Sequence, residues 1–193
     1  DILVHACCAH CLGKLLAALK AGPEAWAPTV FWYNPNIHPL IEFRRRLKAV
    51  KMLVERAALP LIADETYGLV DFCRAVHGHE TAPERCRECY ALRLGRTAQQ
   101  ARAAGCPVFT STLVTSRHQD HELIRAAGEA AGTAAGVEFL YLDARAAEAD
   151  PRLDALARPA RTAGARDAQR PPLHVGRVEQ VHPVLVRRDR ARC

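Results

Sequence analysis

The sequence lacks the features of a membrane or secreted protein. A membrane-spanning helix needs about 20 consecutive apolar residues, and no apolar stretch in these 193 residues approaches that length. No secretory signal is visible. The chain passes from Asp1 directly into an apolar run, so we expect a few residues to precede it. These absences exclude a membrane-embedded protein and favour a cytoplasmic one.

The last 50 residues lack lysine and aromatic side chains altogether. Residues 144–193 instead contain 11 Arg, 11 Ala and 5 Pro, with little periodicity. Such a composition buries too little apolar surface to offset the entropy lost on ordering. We therefore predict a folded domain over residues 1–143 and an atypical tail over residues 144–193. Two interpretations of the tail remain open: a disordered basic segment, or the product of a shifted reading frame in GC-rich DNA.

Excess positive charge is nearly absent from the predicted domain. The whole chain carries a formal net charge of +6. Residues 1–143 hold 16 Lys and Arg against 15 Asp and Glu, whereas residues 144–193 hold 11 against 6. The basicity therefore belongs to the tail, and a nucleic-acid surface on the domain would depend on local arrangement of its charges.

Strand-like and helix-like segments alternate along the domain. Short apolar or β-branched runs predict strands, and apolar residues at i, i+3, i+4 and i+7 predict helices between them. This alternation is typical of an α/β fold, with a parallel, Rossmann-like sheet in a three-layer domain. The predicted strands cover residues 2–6, 29–33, 61–63, 107–113 and 137–141, and the predicted helices lie around residues 12–19, 43–54, 69–76, 86–104 and 121–135.

Polar and sulfur-bearing residues follow the ends of four predicted strands. Cys7 and Cys8 follow the first strand, residues 34–36 the second, Asp64 the third and Ser116 the fourth. In open parallel sheets, ligands bind outside the carboxyl ends of the strands. We therefore expect these residues to meet at one edge of the sheet and to form the functional site.

The eight cysteines cluster at metal-ligand spacings rather than in a disulfide framework. Residues 8–11 and 86–89 each form a CxxC pair, and Cys7 adds a third cysteine to the first pair. Two such pairs predict either a zinc site of four thiolates or an iron–sulfur cluster. Adjacent residues in an extended chain point to opposite sides, so a vicinal pair is awkward on one small ion and favours the cluster. A catalytic thiol paired with a histidine would not require this clustering.

Three other residues are predicted to be structural. Cys73 lies in an apolar helical stripe and Cys106 precedes a strand, so both are expected to be buried core thiols. His5 is expected to pack at the end of the first strand. Cys193 is terminal, and no partner can be assigned to it.

Several longer motifs occur together in the predicted domain. They are residues 4–11 (VHACCAHC), 31–39 (FWYNPNIHP), 42–46 (EFRRR), 84–94 (ERCRECYALRL) and 110–113 (TSTL), followed by Ser116 and Asp120. Together they closely resemble the cobalamin-independent epoxyqueuosine reductases, the QueH family, over about residues 2–143. The vicinal cysteines combined with the YNPNIHP loop make this resemblance highly specific.

The resemblance implies the last step of queuosine biosynthesis. Epoxyqueuosine at the wobble position of tRNA is reduced to queuosine with loss of the epoxide oxygen, and the electrons come from an unidentified donor. The resemblance also implies a nucleotide-hydrolase-like or PP-loop-like α/β fold that carries a [4Fe-4S] cluster and a second metal, a mononuclear iron. An iron with an open position would act on the epoxide as a Lewis acid. The cluster ligands carry over to Cys7, Cys8, Cys86 and Cys89, and the weaker candidates for the second metal are Cys11 and Asp120.

The resemblance extends to the expected contacts with tRNA. As a hypothesis, the run of arginines at residues 44–46 contacts tRNA phosphates, and the alternative for this run is a solvated helix face. A pocket for the flipped-out modified base is expected from residues of the second loop and the second CxxC helix. The pocket residues are Tyr33, Asn34, Asn36 and Arg93, and the phosphate-contacting residues are Arg44, Arg45 and Arg46.

The chain departs from the family pattern at two places. His10 stands where the family usually has proline, and residues 144–193 lack the Tyr-Cys-Gly-Cys segment with which the family normally ends. Two alternatives therefore stay open: a zinc-stabilised RNA-binding module without catalysis, and an inactive homologue without the redox cysteine pair. An ATP-dependent tRNA-thiolating enzyme is excluded, because cysteines replace the Gly- and Ser-rich phosphate loop that it needs after the first strand.

Overall fold

The structure is a computed structural model that describes residues 1–149 and residue 151. In this part of the chain, five strands alternate with helices, and a 3-10 turn over Thr112–Thr115 follows the fourth strand. The strands are β1 (Ile2–His5), β2 (Pro28–Trp32), β3 (Leu61–Ala63), β4 (Val108–Ser111) and β5 (Glu138–Phe139). The helices are α1 (Ala9–Ala21), α2 (Leu40–Arg56), α3 (Leu69–Ala75), α4 (Glu84–Ala103) and α5 (His121–Ala135).

The strands form one parallel sheet in the order β3-β2-β1-β4-β5. The chain first builds the β2 and β3 side of the central strand β1 and then crosses to the other side for β4 and β5. Because crossovers between parallel strands are right-handed, this reversal places α1 and α2 on one face and α4 and α5 on the other. In agreement, α1 packs on α2 and α4 packs on α5. The predicted α/β fold is confirmed.

The central strand supplies the middle of the hydrophobic core. Ile2, Leu3 and Val4 are fully buried, as expected for a strand covered by helices on both faces. Helix α2 buries one apolar stripe, made of Phe43, Leu47, Val50, Leu53 and Val54. No helix in the described part of the chain is both long and apolar enough to cross a membrane.

Some predicted boundaries move in the structure. Strand β4 ends at Ser111 rather than at residue 113, because the Ser111 side chain accepts a hydrogen bond from the Leu113 N–H over 3.2 Å and starts the 3-10 turn. Strand β5 is also shorter than predicted, at Glu138–Phe139. The predicted bounds of β3 and α5 are confirmed.

The two cysteines predicted to lie in the core behave differently. Cys106 is 5% exposed, which confirms the prediction. The prediction for Cys73 is wrong, because the thiol is exposed. Cys73 lies on α3, a helix of which no residue is buried. The apolar stripe of α3 is therefore not covered by another helix or strand among the described residues.

The predicted tail lies outside the described residues, apart from residues 144–149 and 151. Cys193 also lies outside them. Ala144 is 1% exposed, and its N–H donates to the Val114 carbonyl over 3.3 Å. The chain therefore still packs on the domain immediately after the predicted boundary at residue 143.

Candidate metal centre and its cavity

The first cysteine group lies at the carboxyl ends of β1 and β4. His5 pairs with Ser111 in the β1–β4 register, and two residues later the Cys7 N–H donates to Thr112 Oγ1 over 2.9 Å. Cys8 is the N-cap of α1, where its Sγ accepts a hydrogen bond from the Cys11 N–H over 3.4 Å. The passage from strand β1 into helix α1 therefore brings the thiols of Cys7, Cys8 and Cys11 close together.

The sulfur atoms of Cys7, Cys8 and Cys11 all lie within 4.8 Å of one another. A tetrahedral ion with metal–sulfur bonds of about 2.3 Å would separate its ligands by about 3.8 Å, so these three thiols are able to hold a metal ion. The expectation that vicinal thiols must diverge is therefore not met, because Cys7 lies at a bend after the end of β1. Among the described residues, Cys86 and Cys89 lie outside this tight group.

Protonation within the three-thiol group is uneven. Hydrogen bonds from the thiols of Cys11 and Cys8 hold the pKa of Cys7 well below its usual range, and the nearby charge of Arg93 acts in the same direction against the effect of burial. Interaction with Cys7 raises the pKa of Cys11 to about 11. Cys7 is therefore the thiol of this group that loses its proton most readily, and a bound metal would displace thiol protons.

The second cysteine group opens α4. Cys86 and Cys89 lie in the first turns of the helix, which begins after the cis peptide bond between Ala82 and Pro83. Their spacing of three residues places both on the same side of the helix. They line a cavity of about 310 Å³, whose other lining residues are Asn36, Phe72, Arg85, Tyr90, Arg93 and Gln119.

A chain of hydrogen bonds joins the two cysteine groups. Arg93 is 4% exposed, and its Nη1 donates to Cys89 Sγ at 4.0 Å while its Nη2 donates to Asn34 Oδ1 at 3.1 Å. Asn34 Nδ2 in turn donates to the Ala6 carbonyl oxygen over 2.8 Å, next to Cys7. Two of the residues predicted to shape a pocket therefore have different roles. Arg93 lines the cavity, whereas the buried Asn34 holds Arg93 in place.

The other two predicted pocket residues also differ from each other. Asn36 lines the cavity, and its buried Oδ1 has no hydrogen-bond partner among the described residues. Tyr33 is not among the lining residues. Its ring stacks on Phe31 with the centroids 6.3 Å apart, and the guanidinium of Arg96 lies 6.0 Å from its centroid.

Tyr90 is a cavity residue that the sequence interpretation did not single out. Its hydroxyl donates to Gln119 Oε1 over 2.5 Å. Burial raises the pKa of Tyr90 to about 12, against a hydrogen bond with the Asp120 backbone and with a contribution from Cys86 and Cys89. The position of Tyr90 directly after the second CxxC pair indicates a role near the site, whereas no sequence feature indicates one for Gln119.

Asp120, the weaker metal candidate, caps a helix. Its Oδ1 accepts a hydrogen bond from the Leu123 N–H over 3.0 Å at the start of α5. Its backbone lies beside the Tyr90 hydroxyl, but Asp120 is not among the residues that line the cavity. Asp120 is not a member of the group formed by the three thiols.

The three arginines of α2 have different surroundings. Arg44 and Arg45 are exposed. The Arg46 side chain is 42% exposed, and its Nε donates to Glu42 Oε1 over 2.6 Å. Partial burial acts to lower the pKa of Arg46, but the interaction with Glu42, followed by those with Cys7 and Cys8, raises this pKa overall. Arg46 thus lies within the electrostatic influence of Cys7 and Cys8.

His5 is fully buried, which confirms the expected packing role. Its Nε2 lies 3.0 Å from the Tyr33 carbonyl oxygen, and its Nδ1 lies 2.8 Å from Ser111 Oγ. Burial, followed by the charge of Arg93, lowers the pKa of His5 to about 3. The imidazole is therefore neutral and ties together the ends of β1, β2 and β4.

Comparison with known proteins identifies the family of the chain. A family model described as epoxyqueuosine reductase QueH matches residues 2–159. The chain is 36% identical over 151 residues to a protein of that name from Dehalococcoides mccartyi, an alignment that covers 78% of this chain and 81% of the relative.

Two further relatives carry the same name. A protein from Thermotoga maritima is 32% identical over 149 residues, which cover 75% of this chain and 74% of the relative. A protein from Histophilus somni is 37% identical over 133 residues, which cover 67% of this chain and 54% of the relative. The alignments therefore cover most of the proteins from Dehalococcoides mccartyi and Thermotoga maritima, and about half of the protein from Histophilus somni.

Proposed function

The chain belongs to the epoxyqueuosine reductase QueH family, and from this premise we propose that it reduces epoxyqueuosine to queuosine at the wobble position of tRNA. This is the last step of queuosine biosynthesis. The epoxide takes up two electrons and two protons and loses its oxygen as water. The reaction needs an electron donor besides the tRNA, and because the substrate is tRNA we assign the enzyme to the cytoplasm. The observation that carries the proposal is the cavity beside the cysteines, whose wall contains polar groups without hydrogen-bond partners in the described part of the chain.

The donor set supports a thiolate-bound metal centre. We assign the [4Fe-4S] cluster to Cys7, Cys8, Cys86 and Cys89, and a second, mononuclear iron to the surroundings of Cys11 and Asp120. The residues fit such a group, because thiolates are the usual ligands of iron–sulfur clusters and because the buried cation Arg93 contacts Cys89. When bound, the metal centre supplies the electrons and a Lewis acid for the epoxide oxygen.

The cavity provides complementary groups for a polar ligand. Arg93 Nε and Asn36 Oδ1 are buried and have no partners among the described residues, and both side chains line the cavity. A buried polar group without a partner destabilises the folded protein, so a ligand that pairs with both would bind favourably. We assign Asn36 and Arg93 to the polar edge of the flipped-out base, while Asn34 orients Arg93 and Tyr33 supports the outer wall.

The exposed arginines are assigned to the tRNA backbone. Arg44 and Arg45 lie on the first turns of α2, directly after the loop that carries Asn36. A nucleotide placed in the cavity would bring its neighbouring phosphates toward this part of the surface. Arg46 is assigned to the same surface, but its pairing with Glu42 reduces the charge that it can offer to a phosphate.

A zinc-stabilised module without catalysis is not favoured. Structural zinc sites are closed by four protein ligands, whereas here two of the four predicted ligands line an open-walled cavity. Neither the family match nor the cavity requires a purely structural metal. The inactive-homologue alternative depends on residues 144–193, which lie outside the described residues except for 144–149 and 151.

One experiment tests the proposed function. The full chain is purified and reconstituted with iron and sulfide without oxygen, and epoxyqueuosine-containing tRNA is then supplied with a chemical reductant. We expect brown protein with about four or five irons per chain and conversion of the nucleoside to queuosine. Colourless protein that holds one zinc would contradict the proposal. A brown protein that does not turn over would identify an inactive homologue.

A further inference from the structure

We propose that Arg93 is the buried countercharge of the metal centre, held by Asn34 so that its guanidinium offsets the thiolate charge and raises the reduction potential of the bound metal. This assigns to Arg93 a role on the metal side of the cavity as well as on the substrate side. The inference rests on the proposed metal centre but not on the identity of the substrate.

The Arg93 guanidinium lies in the protein interior. Arg93 is 4% exposed, so bulk solvent reaches little of its side chain. Nη1 contacts Cys89 Sγ at 4.0 Å and Nη2 donates to Asn34 Oδ1 at 3.1 Å. Nε is buried without a partner among the described residues. Among the described residues, the oxygen that accepts from the guanidinium is the neutral amide of Asn34, which orients the cation but does not neutralise it.

Arg93 lacks a carboxylate partner in the described part of the chain. Among residues 1–149 and 151, it forms no ion pair within 4.0 Å, in contrast to Arg46, Arg74, Arg96 and Arg145. A buried cation without an anion is strongly unfavourable. Cysteines that bind a metal do so as thiolates, so Cys89, which Arg93 contacts at 4.0 Å, would then provide a negative partner for the guanidinium.

Hydrogen bonds also connect Arg93 with the other cysteine group. The Arg93–Asn34–Ala6 hydrogen bonds lead from Cys89 to the residue before Cys7. One guanidinium is therefore linked to both cysteine groups.

A buried positive charge next to a redox centre stabilises its reduced form, because reduction adds negative charge. Arg93→Gln removes the charge and keeps a polar side chain, whereas Arg93→Lys keeps the charge without the planar fork. Asn34→Asp provides a second test that leaves Arg93 in place, because it puts a carboxylate 3.1 Å from Nη2 and neutralises the cation locally. Arg96→Gln is the matched control, since Arg96 lies on the same helix but is 41% exposed and 4.0 Å from Asp64.

The experiment compares the full chain and these four variants after anaerobic reconstitution with iron and sulfide. Iron content is measured, and the midpoint potential is determined by a redox titration followed by electron paramagnetic resonance. For Arg93→Gln and Asn34→Asp we expect the potential to fall by at least 59 mV, which is tenfold in the one-electron equilibrium constant. Arg93→Lys should recover at least half of that fall, and Arg96→Gln should match the wild-type chain.

The possible results separate this inference from the proposed function. Wild-type potentials in both Arg93→Gln and Asn34→Asp, at wild-type iron content, would overturn the role of Arg93 and leave the metal centre intact. If Arg93→Gln does not fold, Asn34→Asp decides alone, and an unchanged potential in it overturns the inference. A wild-type chain that takes up no iron would contradict both the inference and the proposed metal centre.

Discussion

His5 and Ser111 are joined across β1 and β4 by a hydrogen bond of 2.8 Å between His5 Nδ1 and Ser111 Oγ. The Tyr33 carbonyl oxygen lies 3.0 Å from His5 Nε2 and can only accept, so Nε2 carries the imidazole proton and Nδ1 accepts from the Ser111 hydroxyl. The fully buried imidazole thus fixes the ends of three strands, from which the first cysteine group and the loop of Asn34 and Asn36 both start.

We expect His5→Leu to destabilise the domain by roughly 2–5 kcal/mol, because the Tyr33 carbonyl and the Ser111 hydroxyl both lose a buried partner. Ser111→Ala should cost less, about 1–2 kcal/mol, because the bond from His5 to Tyr33 remains. Urea denaturation of the two variants measures both values. Equal stability of His5→Leu and the wild-type chain would show that the hydrogen bonds of His5 with Ser111 and Tyr33 do not stabilise the fold.

The sequence was sufficient to predict the order of strands and helices, because each predicted element has a strong local pattern. The central strand is a continuous apolar run that proved fully buried at Ile2, Leu3 and Val4. Local spacing also predicted that Cys8 and Cys11 lie close together, within one turn of α1 and its N-cap. It did not predict that Cys7 joins them.

Features that depend on distant parts of the chain were not predictable. Periodicity shows that α3 has an apolar stripe but not whether another element covers it, and so the burial predicted for Cys73 is wrong. Residues 34 and 93 are 59 positions apart, and no local pattern reveals that an asparagine after β2 will hold an arginine of α4. For the same reason, the contact between Tyr90 and Gln119 was missed.

Two helical glycines should respond in opposite ways to alanine. A Cβ at Gly128 in α5 would lie 2.2 Å from Phe139 Cδ1, whereas a Cβ at Gly95 in α4 would meet nothing within 4 Å. We expect Gly128→Ala to destabilise the domain by about 1–3 kcal/mol through overpacking. Gly95→Ala should stabilise it by about 0.5–1 kcal/mol through helix propensity. Thermal unfolding distinguishes the two, and the same sign for both would contradict the close packing of α5 on β5.

Removal of Cys11 should affect metal binding, whereas removal of a core thiol should not. Cys11 Sγ lies within 4.8 Å of the sulfurs of Cys7 and Cys8, and Cys106 is buried away from this group. After anaerobic reconstitution, we expect Cys11→Ser to retain less iron per chain than the wild-type protein and Cys106→Ser to retain the same amount. Wild-type iron content in Cys11→Ser would remove Cys11 from the metal centre.

The exposed arginines of α2 should contribute to tRNA binding through counterion release. Each phosphate contact adds about 0.7–0.9 to the slope of log affinity against log salt, so the double change of Arg44 and Arg45 to Gln should flatten that slope by roughly 1.4–1.8. Lys20→Gln is the matched control. Lys20 is also exposed, but it lies in the last turn of α1, at the opposite end of that helix from Cys11. An unchanged slope in the double variant would indicate that this surface is merely solvated.

Asn36 provides the sharpest test of the cavity as the substrate site. Its Oδ1 is buried without a partner among the described residues, although the side chain lines the same cavity as Cys86 and Cys89. Asn36→Ala removes an unsatisfied acceptor, so the fold should be no less stable, apart from any loss of packing. If the acceptor pairs with the modified base, kcat/KM for epoxyqueuosine-containing tRNA should fall about 10- to 100-fold, which corresponds to roughly 1.4–2.8 kcal/mol. Iron content should stay at the wild-type value, and so should the salt dependence of tRNA binding, because neither depends on this amide. A variant with wild-type kcat/KM would place the base outside this cavity, even if the metal centre and the phosphate contacts were both confirmed.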